Sequence, residues 1–155
     1  MTLESKIAQK FIQSGKTMAI AESCTGGLLS NRLTNVPGSS QFLKFSIVAY
    51  HNAAKTKLLN VPEKLIRQNG AVSSPVAITM AKNVRKILNT DFGIGITGIA
   101  GPSGGSRSKP VGLTYIAIST PFDTLCLKCR FKGVRSVIKT QAVDQTLRTL
   151  AEFLI

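Results

Sequence analysis

The segment "AIAESCTGGLLSNRL", residues 19–33, constrains the fold more than any other part of the chain. A short apolar run ends in one acid, followed by a hydroxyl, a thiol, a second hydroxyl and two glycines. Leucines at helical spacing come next. Strand, glycine-rich turn and helix in that order form the opening unit of an α/β protein. The turn between them is where such folds present a reactive side chain or hold an anion.

The remaining sequence continues this alternation. Leu3, Ile7, Phe11 and Ile12 mark an amphipathic first helix closed by Gly15. Residues 17–22 read as a buried strand, and 26–35 as a helix ended by "VPGSS". A strand is expected over 43–51, with Asn52 as N-cap of "AAKTKLLN". Pro62 opens a short helix that stops at Gly70. Ser74 is expected as a cap and Pro75 as the first residue of the longest middle helix. Strands over 92–97, 112–119 and 124–131 and a helix over 134–154 follow. No repeat or linker interrupts the pattern, and 155 residues suit one domain better than two. The expectation is a single α/β domain over residues 1–155 with helices covering its sheet. The sheet should be mixed, because the last strands follow one another without helices between them.

The charge balance narrows the function. Twenty Lys and Arg against seven Asp and Glu leave a formal net charge of +13, which attracts anions. The basic residues are scattered from Lys6 to Arg148, and two Tyr and no Trp leave little for base stacking. Nucleic acid is therefore a disfavoured partner, and a phosphorylated small substrate or a solvated basic surface fits as well. The N-terminal stretch has no secretory h-region and no run is long enough to span a membrane. With three cysteines, this reads as a reduced, cytoplasmic protein.

Several motif matches fail on context. "GIGITG", Gly93 to Gly98, spells a dinucleotide fingerprint, but its glycines fall inside a strand and no acid follows until Asp123. "SRSK", Ser106 to Lys109, lacks the helix that a serine–lysine penicillin-binding motif requires. Cys126 and Cys129 are three apart on a strand, so they point to opposite faces about 10 Å apart and read as packing residues. One histidine and scattered acids make no metal site.

Nucleophilic chemistry in "SCTGG" remains. Ser23 or Thr25 could simply cap the following helix. A Cys24–His51 pair is a second reading, without an evident acid to orient the imidazole. A serine–lysine arrangement is the third. It needs a lysine of depressed pKa, and Lys55, near a helix start in a strongly positive protein, has the best local reason to be neutral.

"AESCTGGLLSNRLTNVPGSSQFLKFSIVAYHNAAKTKLLNV", "AVSSPVA" and "GITGIAGPSGGSRSKPVGLTYIAI" closely resemble, in order, the CinA C-terminal domain family. The resemblance implies a three-layer α/β/α sandwich, usually assembled as a homo-oligomer. It also implies the activity of the family's stand-alone members, which hydrolyse nicotinamide mononucleotide to nicotinic acid mononucleotide and ammonia. With no metal-ligand cluster in the sequence, the reaction is expected to use no metal or cofactor. Carried over residue by residue, the nucleophile is Ser23, the base Lys55, the upstream tyrosine Tyr50, and the threonine of T-G-I-A-G-P Thr97. Tyr50 would relay a proton to the leaving ammonia. Cys24, Thr25, Gly26 and Gly27 would hold the reacting end, with amides from Ser23 to Gly26 as the oxyanion donors. Gly101, Gly104, Gly105, Arg107 and Lys109 would hold the 5′-phosphate, with Arg135 as a second candidate. On an unbroken strand Tyr50 and His51 face opposite sides, which removes His51. The family's common G-D-R is here Gly133, Val134, Arg135. The rival function is a non-catalytic nucleotide- or DNA-binding domain of a competence or damage-response system.

Overall fold

The structure is a computed structural model and describes residues 1–154. Its five strands lie in the order β2-β1-β3-β4-β5: β1 is Met18–Glu22, β2 Leu43–Val48, β3 Phe92–Gly98, β4 Leu113–Ser119 and β5 Thr124–Arg130. The first three are mutually parallel; β4 runs antiparallel to β3, and β5 antiparallel to β4. The sheet is mixed as expected: helices connect β1 to β2 and β2 to β3. A loop over residues 99–112 joins β3 to β4 and a short hairpin at Thr120–Asp123 joins β4 to β5, so both of these pairs are antiparallel.

Side-chain size divides the two faces of the sheet. Ile20, Ile94, Ile96, Ile116 and Ile118 point to one side, where they pack with α1 (Leu3–Ser14), α2 (Leu28–Thr34) and α6 (Arg135–Phe153). On the other side the residues are small: Ala19 pairs with Gly93, and Ala21, Gly95 and Ala117 form one row across three strands. That flat face admits α5 (Ser74–Ile87) at close range, since a Cβ on Gly93 would sit 2.1 Å from the Ala81 carbonyl oxygen. The "GIG" spelling is thus a packing device. With α3 (Asn52–Leu59) and α4 (Glu63–Asn69) beside α5, the molecule is a three-layer α/β/α sandwich. Cys126 packs on the α5 side and Cys129 on the α6 side, both as free thiols, as the strand geometry requires.

Element ends differ from expectation where local geometry intervenes. Gly26 and Gly27 both take positive φ, 60° and 96°, so α2 starts at Leu28 and not at residue 26. β2 ends at Val48, three residues short of the expected strand. His51, not Asn52, caps α3: its backbone is extended and its Nδ1 accepts the Ala53 N–H at 3.1 Å. Ser73, not Ser74, is the N-cap of α5, and its hydroxyl donates back to the Gly70 carbonyl.

Candidate active site

The three parallel strands end side by side, and the chain leaves β1 for β2 on one flank and returns to β3 on the other. A crevice at such a reversal of strand order is where open α/β sheets bind ligands. Here β1 delivers Ser23, the end of β2 delivers Tyr50, and β3 delivers Thr97. The turn after β1 is held from below: the Ser23 N–H donates to the Ile96 carbonyl (3.0 Å) and Gly26 N–H to the Ser23 carbonyl (3.1 Å). Those two amides are therefore spent on the backbone. Of the expected oxyanion donors, Cys24 and Thr25 are the amides left.

Glu22 fixes the turn from the other side and was not anticipated. Its fully buried carboxylate accepts the Leu29 and Ser30 N–H groups, at 3.1 and 3.0 Å, and the Ser30 hydroxyl at 2.6 Å. Gly27 has no side chain with which to cap α2, so an acid five residues upstream supplies the acceptors, and its charge complements the helix dipole. The only sequence signal was an acid closing an otherwise apolar strand.

Lys55 lies in α3 with 2% of its surface exposed. Its ammonium is 2.8 Å from Ser23 Oγ, 2.9 Å from the Ala49 carbonyl oxygen and 3.3 Å from that of Tyr50. Burial pushes its pKa below the ordinary lysine value. The direction is the one expected, but the cause is loss of solvent rather than the helix start or distant cations. Two acceptors and one hydroxyl also match a neutral amine: two N–H groups donate to the carbonyls and the lone pair faces the serine proton.

Around this pair is a pocket of about 320 Å³. It brings together Ser23, Cys24, Tyr50, Lys55, Thr97, Gly101, Gly104 and Arg135. Thr97, almost fully buried, donates its hydroxyl proton to the Ala71 carbonyl at 2.9 Å. Arg135 donates to the Tyr50 hydroxyl and to the Gly101 carbonyl, each at 2.6 Å, and so ties the start of α6 to the other two sides of the mouth. Ala71, Val72, Asn52 and Ser103 also line the pocket. Ala71 and Val72 offer the site only backbone chemistry, which leaves no signal in the sequence.

Other expected residues lie elsewhere. Thr25 is fully buried and is not on the pocket wall, nor are Gly26, Gly27 and Gly105. Arg107 is exposed on its loop, away from the pocket lining. Lys109 does not reach the pocket: its ammonium donates to the carbonyls of Asn69 and Val72 (2.8 Å for the latter) and pins the glycine-rich loop to the segment before α5. His51 is excluded as expected, but by its capping role and not by strand alternation, since β2 has already ended. Cys24 is buried, and burial pushes its thiol up to about 11, the wrong direction for a thiolate nucleophile. Among the described residues no group of three or more His, Cys, Asp or Glu comes together, and no helix is long and apolar enough to cross a membrane.

The family model of the CinA C-terminal domain matches residues 1–154. A CinA-like protein of Acidobacterium capsulatum is 49% identical over 146 residues, 94% of this chain and 35% of that protein. A CinA-like protein of Syntrophus aciditrophicus is 45% identical over 154 residues, 99% of this chain and 37% of that protein. The chain thus spans about a third of the length of these relatives. The crystal structure of a competence or damage-inducible protein from Enterobacter asburiae superposes with a TM-score of 0.95 at 31% identity, covering 99% of this chain and 96% of that one. The competence/damage inducible protein CihA from Agrobacterium tumefaciens gives 0.91 at 34% identity, covering 98% and 96%. The chain belongs to the CinA C-terminal domain family.

Proposed function

We propose that this protein is a serine–lysine amidohydrolase that converts nicotinamide mononucleotide to nicotinic acid mononucleotide and ammonia. The observation that carries the reading is the buried 2.8 Å contact of Lys55 Nζ with Ser23 Oγ, backed by two carbonyls that satisfy a neutral amine. Neutral Lys55 takes the Ser23 proton as Oγ attacks the carboxamide carbon. The Cys24 amide, the one left uncommitted on the pocket wall, donates to the developing oxyanion. Collapse breaks the C–N bond, and the departing nitrogen takes a proton from Lys55 through Tyr50, whose hydroxyl Arg135 orients. Water then attacks the acyl-enzyme, with Lys55 again accepting a proton, and releases the acid and Ser23. Thr97 holds the Ala71–Val72 wall against the ring.

The reaction needs neither metal nor cofactor, and a cytoplasmic setting and self-association into a homo-oligomer belong to the same reading. The net charge of +13 favours a second reading, a non-catalytic nucleotide- or DNA-binding domain. Ammonia release from nicotinamide mononucleotide with EDTA present, lost in Ser23→Ala, supports the amidohydrolase. A folded wild-type protein with no turnover refutes it.

A further inference from the structure

The cations that the sequence offers for a substrate phosphate are committed elsewhere. Lys109 is spent on the Asn69 and Val72 carbonyls, and Arg107 lies off the pocket wall. Both terminal nitrogens of Arg135 are engaged, by Gly101 and Tyr50. Lys139, one turn further along α6, is different. It is half-buried, and its Nζ lies 3.4 Å from the point where a Cβ on Gly26 would sit, directly over the turn that carries the nucleophile. Among the described residues no carboxylate or carbonyl pairs with it. Glu22, at the end of β1, has its oxygens taken by the α2 amides and the Ser30 hydroxyl.

Lys139 opens on a second pocket, of about 520 Å³, lined also by Leu28, Val134, Arg135, Ser136 and Thr140. Among the described residues no acid lines either this pocket or the catalytic one. The two share Arg135, so they adjoin across its side chain. A ligand that places an amide at Ser23 and runs past Arg135 therefore meets an unneutralised ammonium. An uncommitted, partly desolvated ammonium is suited to a compact dianion, because the gain in pairing exceeds what solvent already gives.

We propose that this second pocket is the phosphate subsite of the substrate and that Lys139 is the residue that selects a 5′-phosphorylated nucleotide over its nucleoside. The proposal rests on the amidohydrolase reading for the identity of the other end of the ligand. It removes Arg107 and Lys109 from substrate recognition and leaves Lys109 a purely positional role.

The test is calorimetric binding of nicotinamide mononucleotide and nicotinamide riboside to Ser23→Ala protein, which cannot turn either over, with and without a second change at Lys139. Lys139→Met should weaken the mononucleotide by roughly tenfold or more, the usual worth of a charge-assisted contact, and leave the riboside unchanged. Lys139→Arg should keep the discrimination, which controls for folding and packing. Arg107→Ala should also keep it. Equal weakening of both ligands, no weakening of either, or loss of discrimination in Arg107→Ala would overturn the assignment. Phosphate-selective binding through Lys139 in a protein whose wild type releases no ammonia would uphold this inference and sink the amidohydrolase reading. Absence of mononucleotide binding altogether would overturn both.

Discussion

Replacing Lys55 tests the least obvious claim, that a lysine acts as a base in this pocket. An ordinary lysine, with a pKa of about 10.4, stays protonated at neutral pH and cannot take the serine proton. Burial lowers the value for Lys55, so kcat/KM should rise tenfold per pH unit up to that lowered pKa and then level off. Lys55→Met leaves the Ser23 hydroxyl without an acceptor 2.8 Å away, and the loss should be roughly 10²–10⁴-fold, the usual contribution of a positioned base. Lys55→Arg keeps the charge but cannot titrate in this range, so it should fail as badly.

Stability moves in a related way. Between the lowered native pKa and the unfolded value the unfolded chain holds a proton that the native state has lost, so wild-type stability rises with pH there. Below the native pKa the full cost of burying the ammonium is present. Methionine carries no such cost, while the Ala49 and Tyr50 carbonyls it leaves without a donor add a pH-independent cost of about 1–3 kcal/mol each. The difference in melting temperature, variant minus wild type, should therefore be most positive at low pH and fall as pH rises. Ammonia release and thermal melts across neutral to alkaline pH read both effects. An active arginine variant, a pH limb that survives in Lys55→Met, or a limb that vanishes in His51→Ala would refute the reasoning.

Other consequences are as direct. Cys24→Ser should retain most turnover, and in the native protein Cys24 should resist alkylation at neutral pH, because burial holds its thiol up at about 11; mass spectrometry after labelling of native and unfolded protein checks this. Gly95→Ala should destabilise the fold by about 1–3 kcal/mol or more, since the new methyl would lie 2.5 Å from the Ala77 carbonyl oxygen, and a denaturant melt reads the loss. Val134→Asp should supply the side-chain cap that α6 lacks and stabilise by about 1 kcal/mol, visible as a rise of roughly 2–4 °C in Tm.

Features that depend on neighbours along the chain are legible in the residues alone. The short apolar runs "MAIAE" and "FGIGI" read as buried strands, apolar spacing places the helices, and the paired glycines mark the turn that presents Ser23. Local reasoning singled out Lys55, motif resemblance chose Ser23 as its partner, and the structure brings the two together across 32 residues of sequence. What local pattern could not supply was everything set by long-range packing. The depressed pKa of Lys55 comes from burial beneath the ends of two strands, which no property of "NAAK" encodes. Lys109 looked like a phosphate ligand until its carbonyl partners, 37 and 40 residues away, were in place. Glu22 looked like a strand end and proved to be the cap of α2, and Lys139 drew no notice until α6 laid it over Gly26. A charged side chain's role is set by which donors, acceptors and solvent surround it, and in this fold those neighbours come from other layers of the sandwich.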